Sequence, residues 1–111
     1  MPAERQALVA ALELLCALNL IYLKAHPRAP ALYKSGIRYR REPRGVENWQ
    51  TIAEMLRSKF GDCEDLACAR VAEIRVKGLY AEPWPVSRGG LWHVLVKHSR
   101  GIFDPSKRLG M

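Results

Sequence analysis

Residues 61–98 read GDCEDLACARVAEIRVKGLYAEPWPVSRGGLWHVLVKH, and the fold turns on the change of period at Gly78. Before it, Leu66, Ala69, Ala72, Glu73 and Val76 recur at helical spacing. Gly61 breaks the preceding segment, and Asp62 is placed to cap a helix running roughly Cys63 to Lys77. Asp65, at the third helical position, makes the start resemble a capping box, and Gly78 supplies the stop. Beyond Gly78 apolar and polar side chains alternate. Leu79 to Val86 reads as a strand that Pro83 and Pro85 confine to a sheet edge. Arg88, Gly89 and Gly90 turn the chain, Leu91 to His98 is the best strand, and Gly101 to Asp104 returns beside it.

Upstream, residues 3–24 form the longest helical candidate, with Leu8, Leu12, Leu15 and Tyr22 in one stripe and Val9, Leu18 and Ile21 widening it. Pro27 and Pro30 end it and make residues 25–31 a connector. Residues 33–44, YKSGIRYRREPR, alternate Ile37 and Tyr39 with Arg38 and Arg40, which suits an extended edge or an ordered loop. Asn48 is a candidate N-cap for a short helix from Trp49 to about Lys59. Helices first and a small antiparallel sheet last predict an α+β fold, with residues 1–111 as one unit and a helix and connector to residue 30.

Composition bounds the function. The chain has 111 residues, 49% of them apolar and 26% charged, as in ordinary globular proteins, so a packed core is expected. The charge of +7 and pI near 9.7 favour acidic partners. Three cysteines without a CxxC pair suggest free thiols in a reducing compartment. Ala7 to Leu23 is apolar, but its 17 residues include Glu13 and Asn19, whereas a spanning helix wants about 20 with few or no charges. A buried structural helix in a soluble, cytoplasmic protein is the expectation, with no membrane partner.

Three residues can carry chemistry together. Cys63 lies in the first helical turn, where unpaired N–H groups and the macrodipole favour a thiolate and could bind an oxyanion. Asp62, Glu64 and Asp65 crowd it with negative charge and should raise its pKa, so it needs a cationic partner. Cys16 and Cys68 lie in apolar helical stretches and read as core. His93, in mid-strand, is a candidate base. Asp104 is its candidate orienter: a four-residue loop at residues 97–100 would pair Val96 with Gly101 and set His93 directly opposite Asp104, whereas a three-residue loop at 99–101 would pair Val96 with Asp104 and spoil the arrangement. Cys63, Cys68, His93 and His98 also superficially resemble a zinc pattern. Residues five apart on a helix lie about 140° around its axis and five apart on a strand point to opposite faces, so neither pair can chelate and no metal or cofactor is expected.

The strings GDCEDLA, WHVLV and FDPS, in that order, resemble the transglutaminase-like cysteine peptidases of the papain-like superfamily over residues 49–106. The resemblance implies a papain-like core with Cys63 as nucleophile, His93 as base and Asp104 as orienter. It also implies the Cys63 N–H in an oxyanion hole, Gln50 as a second donor and Trp49 as the aromatic preceding the thiol. The expected activity is acyl transfer, chiefly hydrolysis of a peptide, isopeptide or side-chain amide. SGIRYRREP and the terminal DPSKRLGM add a likeness to small bacteriophage proteins, which implies a phage-infected cell or virion-associated setting. The competing expectation is a catalytically reduced module that serves as a phage structural or nucleic-acid-binding protein. In that case Arg38, Arg40, Arg41 and Arg44 would meet phosphates, and Tyr33 and Tyr39 would stack on bases.

Overall fold

The computed structural model describes residues 3–42 and 48–111. Helix α1 (Ala3–Ala25) leads to a 3-10 turn (Leu32–Lys34), a short strand β1 (Arg38–Tyr39), helix α2 (Ile52–Ser58) and a short strand β2 (Phe60–Gly61). Helix α3 (Cys63–Val76) follows, then strands β3 (Ala81–Arg88), β4 (Leu91–His98) and β5 (Gly101–Phe103), and a last turn of helix α4 (Pro105–Arg108). The fold is α+β, with an N-terminal helix and a three-stranded antiparallel sheet in the order β3-β4-β5.

Helix α3 is the hub. One side of it, Ala67, Cys68, Val71 and Ile74, is buried against Leu12, Leu15 and Cys16 of α1 and Val94 and Val96 of β4. Another side, Leu66 and Ala69, is buried against Leu32, Ile37, Ile52, Met55 and Leu109. Polar ties fix α1 on this core. The Arg75 guanidinium grips both carboxylate oxygens of Glu13 at 2.8 and 2.9 Å, and its Nε donates to the Ala81 carbonyl. Buried Asn19 accepts the Ile52 N–H at 2.8 Å through Oδ1. At 23 residues α1 is long and apolar enough to cross a membrane by length and composition alone. Instead of being enclosed, as the sequence suggests, it buries only one face, through Leu12, Leu15, Cys16 and Asn19.

Sheet geometry explains the prolines. Gly89 and Gly90 both have positive φ, the two-residue turn whose twist suits a hairpin, and β3 pairs with β4 from Arg88↔Leu91 to Ala81↔His98. Counting from that turn, Pro83 and Pro85 fall at positions whose N–H would point away from β4, so no ladder bond is lost. Their edge is the one that α1 covers: Arg5 donates to the Pro85 carbonyl at 3.1 Å. A proline there removes a donor that α1 would otherwise bury.

Several boundaries differ from the sequence reading. Helix α2 starts at Ile52, not Trp49, because Thr51 and Glu54 form a reciprocal capping box; Asn48 is not its cap. Residues 38–39 are extended as expected, but their partner is a two-residue parallel strand, Arg38 beside Phe60 and Tyr39 beside Gly61. Strand β3 begins at Ala81, two residues later than expected, and the chain closes with α4, capped by Asp104 and opened by Pro105.

Candidate active site

Helix α3 begins at Cys63, and its start is unusually well held. Asp62 accepts the Asp65 N–H at 3.2 Å, and Asp65 returns the bond to the Asp62 N–H at 3.2 Å. The other Asp65 oxygen accepts the Gln50 N–H at 2.7 Å, which docks the segment ahead of α2 on α3. Both carboxyls are enclosed: burial first, then Glu64 beside Asp62 and the Asp62 charge beside Asp65, pushes each up to about 8.

Cys63 stands between these acids, half-buried and packed against the core. Burial first, then the Glu64 charge, pushes its thiol up to about 12, with Asp62 adding to the rise. The Val94 backbone N–H acts the other way by hydrogen bonding to the sulfur. That N–H is available because β5 is short. On the β3 side the hairpin geometry assigns the ladder bonds to His93, so the Val94 N–H faces the β5 side. There β5 stops at Phe103, paired with Val96, and the Cys63 sulfur meets the amide that a longer strand would have used.

His93 Nε2 and Asp104 Oδ2 are 2.9 Å apart, and His93 is 9% exposed. A carboxylate can only accept, so Nε2 carries a proton, and in the neutral ring Nδ1 is the nitrogen with the lone pair. The other Asp104 oxygen caps α4, accepting from Ser106 N at 3.0 Å and Lys107 N at 3.4 Å. The pair forms by a different register from the one the sequence suggested. The turn has two residues, Ser99 and Arg100, so His98 pairs with Gly101 and Val96 with Phe103. Continuing that register sets Asp104 opposite Leu95, and His93 is its diagonal neighbour on the same face. Diagonal positions are about 7–8 Å apart, a gap that a long imidazole and a carboxyl can close together.

Of the remaining candidates, Trp49 packs against the same buried cluster as Cys63 does. The Gln50 side chain lies between neighbouring groups, its amide donating to the Phe60 carbonyl at 2.9 Å and its oxygen accepting from Ser58 at 2.9 Å. Arg38, Arg40 and Arg41 are exposed on and after β1, and Arg40 stacks over Phe60 at 4.6 Å; Arg44 lies outside the described residues. The Tyr33 ring is occupied by Arg70 at 5.1 Å and Arg108 at 4.6 Å. Tyr39 lies close enough to Cys63 that the sulfur adds to the rise its hydroxyl takes from burial. Cys16 and Cys68 are buried core thiols, as their apolar surroundings in the sequence suggested. The Val94 amide had no sequence signal, since every residue but proline carries one.

Two surface concavities, of about 410 and 460 Å³, flank the Pro27–Pro30 connector and contain none of Cys63, His93 or Asp104. No family model matches the chain, and no curated protein or solved structure matches it either.

Proposed function

We propose that the protein is a cysteine-dependent acyl-transfer enzyme that hydrolyses a peptide, isopeptide or side-chain amide, with Cys63 as nucleophile. The observation that carries this reading is the His93–Asp104 pair at 2.9 Å, an imidazole whose tautomer a carboxylate fixes, on the strand whose Val94 amide bonds the Cys63 sulfur. The resemblance of GDCED, WHVLV and FDPS to the transglutaminase-like peptidases supports the same assignment of roles.

The resting thiol is neutral, so the chemistry is general-base rather than preformed-thiolate. His93 Nδ1 takes the Sγ proton as the sulfur forms its bond to the carbonyl carbon. The carbonyl oxygen gains the electron pair and is met by first-turn N–H groups of α3, that of Cys63 foremost. Collapse breaks the C–N bond, and Nδ1–H passes its proton to the departing amine. Water, deprotonated by the same nitrogen, then adds to the thioester carbonyl; the C–S bond breaks, and Nδ1–H returns its proton to the sulfur. Throughout, Asp104 is a positioning residue: it fixes the tautomer that leaves Nδ1 basic and stabilises the imidazolium.

The test is alkylation by iodoacetamide at neutral pH, resolved by cysteine. Cys63 is expected to be labelled while the buried Cys16 and Cys68 are spared, and His93→Ala to slow the labelling of Cys63 itself. Equal rates at the three thiols, or a Cys63 rate indifferent to His93, would overturn the proposal.

A further inference from the structure

The outward face of α1 is apolar without interruption. Ala7, Ala10, Ala11, Leu14, Ala17, Leu18 and Ile21 are all exposed, Leu14 and Ile21 at 65% and 66%. Both polar residues within that span are used inward: Glu13 by Arg75, and Asn19 by the Ile52 amide. Positions 7, 11, 14, 18 and 21 step by four and three, the 3.5-residue period with which one helix keeps facing another. The stripe is about 21 Å long at 1.5 Å per residue.

We propose that this face is the interface of a homodimer in which two α1 helices pack antiparallel, with the two-fold axis beside Leu14. The distribution of sizes selects the occupant and its direction. Small residues, Ala7, Ala10 and Ala11, fill the first half of the stripe, and the large ones, Leu14, Leu18 and Ile21, lie in the second, with Ala17 among them. Antiparallel copies set Ile21 against Ala7 of the other copy and Leu18 against its Ala10 and Ala11, while Leu14 meets itself. Ile21 and Leu18 thus each find a shallow place, as interdigitating packing requires. Parallel copies would set alanine on alanine at one end, leaving a gap, and branched chains on branched chains at the other. Charge points the same way. Glu4 and Lys24, both exposed, share a layer only in the antiparallel arrangement, where the helix dipoles also oppose.

Sedimentation of the full chain from micromolar to millimolar concentration should show the mass rising from 12.6 kDa toward twice that value. Leu14→Glu, a change at an exposed position, should abolish the rise while leaving the circular dichroism spectrum unchanged. Direction is read by cross-linking. In a Cys63→Ser background, Ala7→Cys and Ile21→Cys chains of distinguishable mass are mixed and treated with a short bis-maleimide. Products joining the two variants to each other support the proposal; products joining each variant only to itself overturn the antiparallel arrangement. A monomer at every concentration overturns the dimer. A monomer that also co-floats with phosphatidylglycerol vesicles, and loses that binding in Leu14→Glu, assigns the face to lipid instead.

Discussion

The two edges of β4 are treated differently. Along one, the strand is paired with β3 over its whole length, from Leu91 to His98; along the other, β5 pairs with only Val96, Lys97 and His98. The long ladder holds the hairpin under α1 and α3. The short one leaves the Val94 amide to the Cys63 sulfur and lets the chain turn so that Asp104 reaches back to His93. The same strand is thus scaffold on one edge and site on the other. A sheet acquires a reactive position where its pairing ends early, because backbone donors there seek other partners.

The contrast can be broken most severely at its unpaired edge. Asp104→Ala removes the imidazole's partner, and alkylation of Cys63 should fall by about 100-fold, the usual scale of a positioned base. It should also cost about 1 kcal/mol of stability through the lost cap of α4, measured by urea unfolding. Val96→Ala probes the core face instead. It deletes two buried carbons from a residue that is 1% exposed, and should destabilise by about 2–3 kcal/mol while leaving the ratio of Cys63 to Cys68 alkylation unchanged.

A smaller effect concerns pH. Asp62 and Asp65 hold their protons up to about 8 when folded and release them near 3.8 when unfolded. Their contribution is therefore fully present below that lower value and is lost as pH rises toward 8. Asp65→Asn should flatten this part of the stability profile, followed by urea midpoints between pH 4 and 8. Smallest is Glu64→Gln. Removing the charge that most raises the Cys63 thiol after burial should speed alkylation at neutral pH by about three- to ten-fold. A slower reaction would mean that Glu64 helps the sulfur rather than restraining it.

Helices α1 and α3 were legible because their apolar periods are long and their ends are marked; the box of Asp62 and Asp65 was readable from spacing alone. The pairing of His93 with Asp104 was legible as chemistry but not as register. A two-residue turn without Asn-Gly or Asp-Gly gives little local signal, and the diagonal contact depends on where β5 stops. Thr51-x-x-Glu54 and Asp104-Pro105 carried usable signals for the starts of α2 and α4, and Asn48 competed with the first only by residue type. The parallel pairing of residues 38–39 with 60–61 joins segments far apart in sequence and too short to show a period. Likewise, nothing near Glu13 announces that Arg75 will find it.

That last contact governs how the molecule comes apart. One planar cation on α3 holds a carboxylate of α1 and a carbonyl at the start of β3, so the leading helix cannot lift without also loosening the root of the hairpin. Amide exchange in residues 12–16 and 81–84 should therefore slow or quicken in step. Losing the leading helix would unfasten the strand on which the imidazole rides, though that helix contributes no group to the chemistry.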